Sequence, residues 1–159
     1  DFQRIRQLRN IADGGFRLAR DRFDRRGQFA SLRAARDKAL AASPGSAAAL
    51  DYTRFEQLLD GREIDAAETA EAVAAQPGEV GPRFTHALAL LRADRAAEAL
   101  AVFDDFDVIV RDLPPSPRAV AIAVLAANGH ASAAAGLAAG LDRRLLSPGA
   151  WALIAPQIR

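Results

Sequence analysis

RGQFASLRAARDKALAASP, residues 26–44, opens on a turn glycine, sets an aromatic two residues later, and runs through small and apolar residues at helical spacing to a proline. The same message returns along the chain. Thirty-four residues after Gly27 stands Gly61, opening GREIDAAETAEAVAAQP, and thirty-four more reach Arg95 in ADRAAEALAVFDDF. A further thirty-four reach Gly129 in NGHASAAAGLAAGL. A fixed interval of this size marks a stacked repeat, whose single unit cannot cover its own apolar face.

Each interval splits into two helical stretches. Phe16, Ala19 and Phe23 recur at helical spacing before Gly27, and Phe29, Leu32, Ala35, Ala39 and Leu40 follow it. Tyr52, Phe55, Leu58 and Leu59 precede Gly61, with Ala66, Ala67, Ala70 and Val73 after it. Phe84, Ala87, Leu88 and Leu91 lead into Arg95, and Ala99, Leu100, Phe103 and Phe106 lead away. Ala121, Val124 and Leu125 with Ala133, Ala134, Leu137 and Leu141 complete the series. Spacings of three and four place each set on one helical stripe. Ser43–Ser46, Gln76–Gly78, Leu113–Pro117 and Ser147–Gly149 punctuate the units, with Ser46, Ser116 and Ser147 suited to N-caps. Gly27, Gly61 and Gly129 suit the left-handed helix ends of the inner turns. No strand pattern with turn signals occurs.

The expected architecture is all-α, a right-handed solenoid of about four helix–turn–helix units in one domain, 1–159. The units fall near 13–46, 47–79, 80–114 and 115–147, with a leading helix at 1–12 and a capping helix at 148–159. The leading helix would turn Phe2, Ile5, Leu8 and Ile11 inward and Arg4, Arg6 and Arg9 outward. Asp13–Phe16, reading DGGF, would break the chain before the first unit. Trp151, Ile154 and Ile158 would face inward at the other end.

These residues resemble the tetratricopeptide-repeat family over nearly the whole chain. Phe16, Phe23, Gly27, Phe29, Ala39 and Pro44 stand at that family's spacing, and AAEALAVFDDF (96–106) is similar to its second-helix pattern. Arg20 stands where the family carries a small residue, and Arg95 where it carries glycine. The resemblance implies a concave groove, lined by the first helix of each unit, that holds segments of other proteins. First-helix residues off the apolar stripes become the candidate groove: Arg17, Asp21 and Arg25, then Asp51 and Arg54, Thr85 and Arg92, and Arg118. Arginine grips carboxylates with paired hydrogen bonds, so an acidic or C-terminal peptide is the expected ligand. A non-catalytic protein-binding scaffold is the first expectation. A structural or self-associating appendage of a larger enzyme or membrane protein is the second.

Composition fits a folded helical chain: 159 residues, half of them apolar and a quarter charged, with only ten aromatic side chains. Cysteine is absent, which removes disulfides and thiolate chemistry. A chain that opens on Asp1 and contains no methionine reads as a portion of a longer product. No apolar run approaches the roughly 20 residues of a membrane span, so membrane insertion is not expected. Net charge is +1, unevenly spread. Residues 1–40 hold eleven basic side chains against five acidic, 41–112 hold six against fourteen, and 113–159 four against one. Such polarity can favour head-to-tail self-association.

Catalytic sets do not assemble in the sequence. His86 and His130 belong to different units, without the partners a zinc site requires. Asp104, Asp105 and Asp107 fall at a helix end, where hydrated carboxylates lack the environment for acid–base work. Neither a phosphate-loop nor a dinucleotide fingerprint is present. Neither an enzyme nor a cofactor or metal is expected. Aspartates interrupt the arginines of residues 1–26, and the aromatics there lie on the apolar stripe, so nucleic acid is not an expected partner either.

Overall fold

The computed structural model describes residues 1–158, and among them every regular element is helical. In chain order these are α1 (Phe2–Arg25), α2 (Phe29–Ala42), α3 (Ala47–Leu59), α4 (Ala66–Ala75) and α5 (Val80–Arg92), then α6 (Ala96–Ala101), α7 (Pro115–Ala127), α8 (Ala131–Ala139) and α9 (Pro148–Ile154). Short 3₁₀ turns lie at Val110–Asp112, Arg143–Leu145 and Ala155–Gln157.

The inner turns share one geometry. Gly27, Gly61 and Gly129 have φ of +65°, +88° and +83°, and Asp94, with φ of +58°, fills that role in the third turn. Behind each, the next N–H donates five residues back: Gln28 to Phe23, Arg62 to Gln57, Arg95 to Leu90 and His130 to Leu125. The left-handed residue itself donates three back, to Asp24, Leu58, Leu91 and Ala126. This is the Schellman closure, which satisfies two helix-end carbonyls per turn. The third turn arrives one residue before Arg95 and uses aspartate, a residue that tolerates the left-handed region better than most.

The expected break at Asp13–Phe16 is continuous helix instead. A Cβ at Gly14 or Gly15 would meet nothing within 4 Å, so neither glycine is required by close packing. Helical register on either side is held by Asp13 and Phe16, both buried against the start of α3. The assignment of Phe2, Ile5, Leu8 and Ile11 to the interior is also overturned, since all four are exposed. Residues 1–11 are all exposed, and of their side chains Arg9 reaches the α2–α3 turn beside Gly45.

Two apolar clusters form the core. The smaller joins Phe16, Leu32, Ala39, Ala48, Ala49 and Tyr52 from α1, α2 and α3. The larger runs from Phe55 and Leu58 through Phe84, Leu88 and Ala99 to Val120, Ile122, Ala134 and Ile154. Ala99 is fully buried where α6 meets its neighbours. Helix α4 packs chiefly on α5 rather than on α3. Helix α6 stops at Ala101, short of the expected Phe106. Buried Arg83 gathers the chain beyond it, donating to the Val102 carbonyl at 3.0 Å and Asp105 at 2.7 Å, and lying 4.7 Å from the Phe106 ring.

Helix N-termini are capped both locally and from afar. Ser46 and Ser147 cap α3 and α9, accepting from Ala49 and Ala150. Ser116 is not the expected cap, because Pro114 occupies that position and Ser116 lies within the first turn of α7. Its backbone N–H donates at 3.0 Å to the buried carboxylate of Asp24, 92 residues earlier. Asp13 does the same for α3, accepting from Ser46 Oγ and the Ala48 N–H. Aspartates on α1 thus satisfy orphan amides on two later helices, and the helix dipoles favour them.

Of the expected closing side chains, Ile154 is fully buried, Trp151 is half-buried under Arg143, and Ile158 is exposed. The C-terminal segment also returns to the start of the chain. A Cβ on Gly27 would lie 3.0 Å from the Arg144 carbonyl, and one on Gly149 would lie 2.5 Å from that of Leu59. Both contacts need glycine, and they hold the end of the chain against the α1–α2 turn and the end of α3.

Candidate functional site: the cavity between the first helices

Packing of the helices leaves a cavity of about 380 Å³ between the second half of α1, Ala48 and Asp51 of α3, the start of α5 and the loop entering α7. Phe16, Val80, Phe84 and Pro117 supply apolar wall, and α1 and α3 with Glu79 and Asp112 supply the charged lining. The turns before α5 and α7 supply part of the rim, and the interior of α1 faces them. Gly81 is needed there, because a Cβ would come within 2.8 Å of Asp51 Oδ2 and 2.9 Å of Arg20 Nη1.

Arg17, Asp21, Arg25 and Asp51 are brought together around this cavity. Arg17 pairs with Glu79 at 3.2 Å and donates to Gln76 Oε1 at 3.1 Å. Arg25 pairs with Asp21 at 3.1 Å and reaches the Asp112 carbonyl at 2.8 Å. Asp51 is 1% exposed and accepts from Arg20 through Oδ2 at 2.8 Å. Its Oδ1 has no hydrogen-bond partner among the described residues.

The other four candidates stand elsewhere. Arg54 pairs with Glu68 of α4 at 3.1 Å. Thr85 is buried and turns its hydroxyl back to the Gly81 carbonyl, so it presents no surface. Arg92 donates to the Leu58 and Leu59 carbonyls and closes the end of α3. Arg118 donates to the Leu113 carbonyl, while burial and then nearby Arg25 push its guanidinium below the ordinary arginine range. A stripe counted without its neighbours marks these residues as free. Arg54 is engaged by Glu68 of α4, Arg92 by the end of α3, Arg118 by the loop entering α7, and Thr85 by burial and a carbonyl of its own helix.

Arg20 and Asp24 are the residues that sequence reasoning missed. Arg20 departs from the small-residue pattern, and that departure is the available signal: its guanidinium lies 5.2 Å from the Tyr52 and Phe55 rings while holding Asp51. A small residue there would leave Asp51 buried without a counter-charge, which is costly. Asp24 gave no local sign, since its partner lies 92 residues away. Burial pushes its carboxyl above the ordinary range, against the lowering effect of the Ser116 hydrogen bonds and Arg20.

Elsewhere the titratable groups serve packing. His86 Nδ1 meets Thr69 Oγ1 at 2.8 Å between α4 and α5, and burial, then Arg95, lowers its pKa. Tyr52 donates to Glu56 at 3.0 Å, and burial, then Glu56, raises its pKa far out of the physiological range. A second cavity of about 320 Å³ lies beside that pair, between α2, α3 and the start of α9. No three His, Asp or Glu residues converge as a metal would require among the described residues. No helix there is long and apolar enough to cross a membrane. No protein-family model, curated protein or solved structure matches the chain.

Proposed function

We propose that the chain is a tetratricopeptide-like array serving as a non-catalytic scaffold, which holds a peptide or protein segment in the cavity between its first helices. The observation that carries this reading is convergence: α1, α3 and α5, the opening helices of the first three units, and the loop entering α7 supply the walls of one cavity. The four Schellman turns at residues 27, 61, 94 and 129 support the repeat frame behind it. A peptide with few contacts gains most where apolar wall and a few fixed polar groups meet, as they do here.

The test is selection from a random displayed peptide library against the intact chain, followed by Val80→Trp. Val80 lines the cavity and is partly exposed, so the larger ring plugs the space without unpacking the core. Selected peptides should lose binding to the variant while its thermal unfolding stays unchanged. Selection that returns no plug-sensitive peptide would remove the reading.

Self-association is the second reading, and the exposed row of Phe2, Ile5, Leu8 and Ile11 favours it. Arg4, Arg6 and Arg9 share that segment, and the acid-rich stretch 41–112 supplies the complementary charge. Light scattering of the wild type against Ile5→Glu/Leu8→Glu tests it. Equal masses for the two at high concentration would exclude association through this row.

A further inference from the structure

We infer that the occupant of the cavity is a cationic side chain, the arginine or lysine of a basic peptide segment, and not the acidic group that a count of free arginines suggests. This rests on the reading of the cavity as the binding site. The reason lies in how the charges are already spent. Arg17, Arg20 and Arg25 are the basic side chains of the lining, and each is engaged by a carboxylate at 3.2 Å or less. The carboxylates outnumber them: Asp21, Asp24, Asp51, Glu79 and Asp112 all line the same space. An incoming anion would have to displace an existing partner from an arginine and would meet the surplus negative charge.

A cation finds the opposite situation. A carboxylate can accept about four hydrogen bonds, and these are not filled. Asp51 accepts from Arg20 through Oδ2, and its Oδ1 is closed off from the cavity. Asp24 Oδ1 accepts from the Ser116 N–H. The carboxylates open to an incoming group are Asp21 and Glu79, both half-exposed on the lining, each holding one arginine and retaining acceptor capacity. Arginine or lysine would bring several donors on one apolar stem. That stem can lie along Val80, Pro114 and Pro117 while the head group meets the acids, the arrangement by which long basic side chains cover apolar surface. A volume of about 380 Å³ admits one such side chain with its backbone at the mouth, and excludes a folded helix.

The experiment uses N-acetylarginine, N-acetyllysine and N-acetylglutamate methylamides as probes of the ¹⁵N-labelled intact chain, alongside the sequences returned by the displayed library. The basic probes should move the Val80 and Gly81 amide resonances and the acidic probe should not, and plug-sensitive peptides should be enriched in arginine and lysine. Asp21→Asn/Glu79→Gln removes two charges from half-exposed positions, and Glu79 makes no side-chain cap to α5, so the fold is spared. That variant should weaken the basic probes by about threefold to tenfold. An acidic probe that binds as well as the basic ones overturns the inference. Plug-sensitive peptides without basic enrichment overturn it too, and leave the peptide-binding reading standing. Basic probes that bind while no library peptide does would show a cation-selective cavity but remove the peptide reading, and the basic-peptide occupant with it.

Discussion

The two halves of α1 are one helix with two fates. Residues 2–11 carry Phe2, Ile5, Leu8 and Ile11 at strict three-residue spacing, and all four are exposed, Phe2 to 90%. Residues 13–24 carry Asp13, Phe16 and Asp24, and all three are buried. The more regular apolar row is the one left in water, and two of the three buried residues are aspartates. Periodicity states which face a helix can offer. Whether the face is taken depends on what lies opposite, and only the second half has α2, α3 and the entry to α7 within reach.

The sharpest way to break this comparison is truncation in each half. Phe16→Ala should cost about 3–5 kcal/mol, since it empties a packed site beside Tyr52, whose ring centroid lies 5.8 Å away. Phe2→Ala should stay within about 0.5 kcal/mol. Urea unfolding of the two variants decides it, and a comparable loss in both would show that the first half is packed after all.

Asp13→Ala comes next. It strips the acceptor from Ser46 Oγ and the Ala48 N–H and should cost about 1–3 kcal/mol. An unchanged denaturation midpoint would mean that α3 is capped without help from α1.

Asp24→Asn carries a pH signature. Burial raises the folded-state pKa of Asp24 above 3.8, so the native state holds this proton more tightly than the unfolded chain. Stability therefore gains as pH falls through the raised value and has gained in full below 3.8. Asparagine keeps an acceptor for the Ser116 N–H and never carries the charge. The variant should be the more stable protein at neutral pH, with its advantage shrinking as pH falls through that window. A pH-independent difference in melting temperature would remove burial of the charge as the cause.

The smallest effect falls at the junction of the halves. Gly14→Ala and Gly15→Ala add a methyl group to a helix interior with open space around it, and each should stabilise by about 0.5–1 kcal/mol. Destabilisation by either, measured by thermal melting, would restore the diglycine as a hinge.

Much of the helical framework was legible because it is written locally. Gly27, Gly61 and Gly129 end helices in the conformation their type favours, and Pro44, Pro77 and Pro148 mark boundaries because they cannot continue a preceding helix. The third turn was legible to within one residue, at Asp94 rather than Arg95. The cavity was half legible. Arg17, Asp21, Arg25 and Asp51 could be picked from their place on the first helices. Thr85, Arg92 and Arg118 were indistinguishable from them by position: Thr85 is buried, and Arg92 and Arg118 are held by the carbonyls of Leu59 and Leu113.

The all-helical class, the glycine turns at 27, 61 and 129 and the apolar stripes were thus determined by the sequence alone, since each depends on interactions spanning at most about five residues. Tertiary structure decided which stripes are buried, which aspartates cap distant helices, and that the last segment returns to Gly27 and Leu59. Those outcomes join residues 30 to more than 100 positions apart. Their free energy comes from desolvation and from pairing of buried charges, which no single segment contains.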